Sequence, residues 1–269
     1  MAVIVAGAPE EIPGLHTVSW LDHPQLRLRA GEDYRSRNPG TWIRQVILHT
    51  TKGLPAKAGD PGQVIRVGLG APVNAGERTA VYWSHDGRQA GAHLVVDHDG
   101  TVACCADLRA DAAYHAGAVN ERSFGVEIYQ GAGGELYLGQ LQAVVALCDW
   151  LTRRFGIQRQ LPQLYAGRPT KRLEDGGEDC VGVFGHRDVT ATRGPGDPGT
   201  VIMELLRQAG YERWDFALGE DLDAWRTRQF GLGLDPDGIP GPVTVARLRA
   251  GGRPAGLWVT RPGDVPEVA

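Results

Sequence analysis

The sequence predicts a mixed α/β fold, a central β-sheet flanked by helices, with a small helical module appended at the C-terminal end. Short apolar or alternating stretches that read as strands are interleaved with segments of helical period. One of those segments, 140–155, is long and strongly periodic. Gly 38 and Pro 17 are abundant in a chain of 269 residues but follow no repeat, so they imply many turns rather than a fibre.

The elements follow in order. WIRQVILHT (42–50) is an apolar run that predicts a buried strand, with His49 emerging at a sheet edge. Residues 53–78 are rich in Gly, Pro and Ala and read as a long loop. AHLVVD (92–97) is strand-like, and HDG (98–100) predicts a hairpin turn into TVACCADL. SFGVEIY (123–129) alternates, with Phe124, Val126 and Ile128 on one face and Gly125, Glu127 and Tyr129 on the other. QLQAVVALCDWLTRRF (140–155) places Leu141, Val144, Val145, Cys148 and Leu151 at helical spacing, and Gly156 marks its stop. Residues 161–180 are polar and read as an inserted loop. VGVFGH (181–186) is a further short strand closed by His186. Asp197-Pro198 has the chemistry of a cap and first turn for PGTVIMELLRQAG, which Gly210 ends.

The length suits one domain of about 150–200 residues plus an appendage. The expected division is an N-terminal extension (1–39), a main domain (40–210), a helical module (211–250) and a tail (251–269). A net charge of −4 without any basic run argues against nucleic acid as a partner. No apolar stretch is long enough to span a bilayer, so no membrane association is expected. MAVIVAGAPEEIPG lacks a basic n-region and is a poor signal peptide. The expectation is a protein made in the cytoplasm that reaches its site of action by another route. Cys104, Cys105, Cys148 and Cys180 contain no C-x-x-C pair and read as buried thiols.

Three residues at element ends could share an ion: His49, His186 and Asp197. Zinc accepts imidazole nitrogen and carboxylate oxygen, and a catalytic zinc keeps three protein ligands and an open position. Read from residue types alone, the alternative stays open. A histidine at a strand end is commonly a hydrogen-bonded structural residue, and an aspartate before proline is commonly a helix cap.

The blocks VILHTTKG, AHLVVDHDG, AYHAG…N…SFGVEI, GHRDV and GDPG occur in the order seen in zinc-dependent N-acetylmuramoyl-L-alanine amidases. The chain resembles that family, which is related to phage lysozyme-type amidases and to peptidoglycan recognition proteins, over about residues 40–208. The resemblance implies bacterial peptidoglycan as substrate, Zn2+ as cofactor, and His49, His186 and Asp197 as metal ligands. It implies Glu127 as the catalytic glutamate. The tyrosine used by another branch of the family corresponds to Ala92, beside His93. It also implies a cleft-lining, substrate-binding role for His115, with Asn120 and Thr50 as further candidates, although Thr50 can equally just finish its strand. The family often carries a lysine two residues before the third ligand; that position is Pro195 here. Arg193 is the loop's basic residue and the candidate oxyanion donor. By the same token, LDAWRTRQFGLGLDPDGIPGPVTVARL (222–248) resembles a peptidoglycan-binding helical module, with Trp225 and Gln229 as candidate wall-binding residues.

The activity so implied is hydrolysis of the amide between N-acetylmuramic acid and L-Ala of the stem peptide, in a phage-type endolysin. The alternatives are a cell-wall toxin delivered by a secretion apparatus, a recycling amidase, a zinc peptidase for another amide, and a non-catalytic peptidoglycan-binding protein. Retention of all three ligands together with Glu127 favours an enzyme over a sensor.

Overall fold

A computed structural model describes residues 2–23, 28–54, 62–85, 90–162, 180–190, 193–194, 196–215 and 220–221. The first half runs β1 (Val3–Val5), β2 (Ala8–Glu10), β3 (Thr17–Ser19), β4 (Tyr34–Ser36), β5 (Gln45–Thr50), β6 (Val64–Arg66), α1 (Ala75–His85), β7 (Leu94–Val96), β8 (Val102–Cys104) and β9 (Asp111–Ala113). A 3-10 turn (Gly117–Arg122) follows. Then come β10 (Ser123–Ile128), β11 (Glu135–Tyr137), α2 (Leu138–Phe155), β12 (Gln160–Pro162), β13 (Gly182–Gly185), α3 (His186–Val189), α4 (Thr200–Gln208), β14 (Glu212–Asp215) and β15 (Glu220–Asp221).

The central sheet has six strands in the order β13-β5-β10-β7-β8-β3. All neighbours are parallel except the β7–β8 hairpin, so the sheet is mixed. That hairpin turns where HDG was expected to turn it. The sheet is covered on both faces, which explains why Val46, Ile47 and Leu48 of β5 are apolar without alternation: every residue of the strand is buried. Val46 and Leu48 face α2, whereas Ile47 packs on the other side with Val119, Phe184 and Val189.

Helix α2 is the main support of one face. Leu141, Val144, Leu147, Cys148 and Leu151 lie against Phe124, Val126 and Ile128 of β10, all almost fully excluded from solvent. Each such side chain stabilises the fold by about 1.5–3 kcal/mol through removal of apolar surface from water. Gly156 ends the helix in the left-handed conformation, at φ 68°. Helix α4 joins the same layer through Ile202, Met203 and Leu206. Helix α1 covers the opposite face, where Ala75 and Trp83 meet Val95 and Ala103.

Several expectations change. The strand expected over 42–50 starts at Gln45 and is the second strand of the sheet, so His49 lies at its C-terminal end and not on a lateral edge. The stretch read as a loop over 53–78 holds β6 and the start of α1; its glycines and prolines hid them. His186 opens α3 rather than closing a strand. Asp197 does not cap α4. Gly199 stands at the N-cap, and the carboxylate of Asp197 turns toward β5. The segment before residue 40 is woven into the domain: β3 is the edge strand of the central sheet, and Val3, Val5 and Ile12 belong to its core. Past residue 210, Tyr211 is buried in that core and β14 pairs with β12.

All four cysteines are buried and unbridged. No helix among the described residues is long and apolar enough to cross a membrane.

Candidate metal centre

The site lies on the α1 face, at the C-terminal ends of β5 and β10. His49 points there because it shares a face with Ile47. Parallel pairing of β13 with β5 sets Gly185 opposite Leu48, so the next residues, His186 and His49, are neighbours. A short capped turn fixes His186: the Gly185 N–H donates to the Asp188 carboxylate at 2.7 Å. Asp197 arrives from the following loop. Gly196 lets it come close, since a β-carbon there would collide with the backbone of Leu54. Thr50 then secures the loop. Its N–H donates to Asp197 Oδ1 at 3.2 Å, and its hydroxyl donates to the Gly196 carbonyl at 2.7 Å.

Three buried donors converge as a result. His49 Nδ1 and His186 Nδ1 are 2.9 Å apart. Asp197 Oδ2 is 3.3 Å from His186 Nδ1, and its Oδ1 is 4.0 Å from His49 Nδ1. Ligands on one tetrahedral zinc at about 2.0–2.1 Å stand roughly 3.3 Å from each other, so this set fits such an ion without large movement. The electrostatics fit as well. Burial, followed by the neighbouring His186, pushes His49 down to about 3, which keeps its imidazole neutral with a free lone pair. Asp197 is held below the usual carboxylate range: desolvation raises it, but hydrogen bonding with His186 and from the Thr50 N–H outweighs that. Among the described residues this is the one cluster of histidine, cysteine and acidic side chains with metal-ligand spacing.

The donors open onto a cavity of about 1070 Å³ lined also by Glu127, His115, Tyr114, Tyr129, Arg78 and Arg193. Glu127 is the register partner of His49 on β10. Burial, reinforced by the charge of Asp197 and opposed by Arg193, raises its carboxyl to about 8. Arg193 is exposed at the cavity wall. Thr50 and Asn120 also line the cavity, but their described bonds run to the protein: Asn120 Oδ1 accepts from the N–H groups of His115 and Ala116 at 3.1 and 2.7 Å. Arg78 and Tyr82 of α1 were missed by sequence reasoning, because their helix begins in the stretch read as a loop. Pro195, Trp225 and Gln229 lie outside the described residues.

Residues 38–200 match the family model described as Amidase_2, N-acetylmuramoyl-L-alanine amidase. A search of curated proteins finds no match. Among solved structures, the chain is similar to the endolysin N-acetylmuramoyl-L-alanine amidase LysCS from Clostridium intestinale URNW, at 15% identity and a TM-score of 0.41, covering 74% of this chain and 96% of that one. It is similar to Drosophila PGRP-LB at 18% identity and a TM-score of 0.43, over 71% of this chain and 92% of the other. A third similar structure is Drosophila peptidoglycan recognition protein SD, at 15% identity and a TM-score of 0.44, over 71% of this chain and 94% of the other.

Proposed function

The chain belongs to the N-acetylmuramoyl-L-alanine amidase family, and from that premise we propose that it hydrolyses the amide between N-acetylmuramic acid and L-Ala of peptidoglycan with a zinc ion held by His49, His186 and Asp197. The observation that carries the reading is the convergence of these three donors in one cavity with Glu127 in register beside His49. Bound zinc would supply a Lewis acid for the amide carbonyl and acidify a water.

The chain's own residues do the rest. His49 and His186 would each present a ring nitrogen to the ion, and Asp197 would supply one negative charge, leaving one positive charge on the loaded ligand set. Glu127 takes the proton of the attacking water and delivers it to the leaving amine of L-Ala. Its raised pKa suits that role, because a carboxyl that binds a proton near neutrality can both accept and release it. A nearby divalent cation lowers that affinity from the metal-free value, in the direction a base needs. Arg193, which lines the cavity, would donate to the oxyanion that develops on the carbonyl.

Digestion of purified peptidoglycan followed by mass spectrometry tests the reading. The expected products are stem peptides with a free amino group on L-Ala and glycan strands bearing free lactyl carboxylates. Peptides cut elsewhere would make the enzyme a peptidase for another amide, and intact peptidoglycan would make it a binding protein. The C-terminal motif that resembles a wall-binding module favours a phage-type endolysin. Phage lysis genes beside this one are the expected finding, whereas secretion-apparatus genes there would make it a delivered toxin.

A further inference from the structure

We propose that His115 is a positioning residue that fixes the tautomer of the ligand His49, acting through a chain of hydrogen bonds that begins at the backbone carbonyl of Val119. The inference rests on the zinc reading above, but the chain of bonds exists in the protein without metal. Ser123 Oγ lies 2.7 Å from the Val119 carbonyl oxygen. Two oxygens that close need a proton between them, and only the hydroxyl has one, so Ser123 donates to Val119. The hydroxyl then accepts from its other neighbour, His115 Nε2, at 3.0 Å. His115 Nε2 therefore carries the hydrogen. Among the described residues its two ring nitrogens bond to Ser123 and His49 and to no carboxylate, so the ring is a neutral imidazole and its Nδ1, facing His49, is a lone pair. His49 Nε2, 3.2 Å away, must donate to that lone pair. The remaining nitrogen of His49, Nδ1, is thereby left without hydrogen on the side facing His186 and Asp197.

Two further features serve this ring. The Asn120 side chain binds the N–H groups of His115 and Ala116 and so fixes the backbone that carries it. Gly125 leaves the space the ring occupies: a β-carbon there would stand 2.5 Å from His115 Cγ. The motif HAGAVNERSFG thus encodes the ring, its anchor, its hydrogen-bond acceptor and its space, in that order. A substrate-binding role explains none of these contacts.

Two measurements test this. Long-range proton–nitrogen NMR on metal-free protein should show His49 protonated at Nε2; protonation at Nδ1 would overturn the proposal without reference to zinc or activity. Zinc affinity, from competition with a chromophoric chelator, should weaken about 10–100-fold in His115→Leu, the usual cost of losing a residue that orients a metal-ligating histidine. His115→Asn should recover most of the affinity, because its Oδ1 can take the place of Nδ1 as acceptor. Wild-type affinity in His115→Leu would also overturn the proposal. If that variant does not fold, Ser123→Ala answers instead: it frees the His115 tautomer, and His49 should then populate both forms in the metal-free spectrum. A wild-type chain that binds no zinc would sink the zinc reading, while the His49 tautomer still decides this one.

Discussion

Glu127 and His49 face each other across the parallel strands β10 and β5. Adjacent strands are about 4.8 Å apart, so this carboxyl and the imidazole proposed to bind zinc share the same small volume on one face. The pairing predicts a clean separation of roles. Glu127→Gln should bind zinc as the natural chain does yet turn over roughly 10²–10⁴-fold more slowly, the usual contribution of a positioned acid–base group. Zinc content and rate are measured on one preparation. A near-native rate would move the proton transfer elsewhere, with Tyr114 the next candidate on the cavity wall.

Asp197 should respond differently to two substitutions. Asp197→Ala removes the proposed anionic ligand and the acceptor of the Thr50 N–H. It should lose zinc, activity and the zinc-dependent rise in melting temperature, because metal binding is coupled to folding. Asp197→Cys should keep partial activity, since a thiolate also ligates zinc at a similar reach. Elemental analysis and thermal melts with and without a chelator read both outcomes. Full zinc content in Asp197→Ala would exclude the residue as a ligand.

How much of this was legible in the sequence follows from which signals are local. The alternation of SFGVEIY is local to one strand, and it set Glu127 on the face away from Phe124, Val126 and Ile128. The spacing in α2 and its Gly156 stop are equally local. The fold class and the meeting of His49, His186 and Asp197 followed because ordered blocks resembled a family, not because spacing alone required an ion. What stayed hidden depends on long-range pairing. Nothing near Thr17–Ser19 shows that it adds a strand to β8, and nothing near Tyr211 shows that it enters the core. The structural role of Asn120 is invisible for the same reason, since an asparagine looks alike in sequence whether it meets substrate or two backbone N–H groups.

His93 gives a pH dependence of stability. It is fully buried between Arg37, Asp111 and Gly125, and burial with the nearby Arg37 charge lowers it to about 3. In the unfolded chain a histidine titrates near 6.5. Between about 3 and 6.5 the unfolded state therefore binds more protons. The stability linked to the neutral ring is complete above about 6.5 and is lost as pH falls toward 3. Urea midpoints of metal-free protein should drop from pH 7 to pH 5, with His93 contributing up to about 1.4 kcal/mol per pH unit. His93→Gln should begin less stable, because the Gly125 N–H bond is disturbed, but fall more shallowly. Equal slopes would show that His93 does not carry the effect.

Truncation tests the C-terminal module, and the fold dictates where to cut. Ending the chain at Gly210 would remove Tyr211, which is buried against α2 with its hydroxyl 3.4 Å from Thr152, and would strip β14 from β12. A loss of activity there would report damage to the core. Ending it after Asp221 keeps these pieces and every residue of the cavity, and removes the segment with Trp225 and Gln229. If that segment binds wall, the shortened chain should hydrolyse soluble muropeptides at the full-length rate. Its rate on intact sacculi should fall, because the tether that raises enzyme concentration at an insoluble substrate is gone. Trp225→Ala in the full chain should repeat the pattern more weakly, and sacculus pull-down should follow the rates. Equal losses on soluble and insoluble substrate would make the segment a packing element of the catalytic domain.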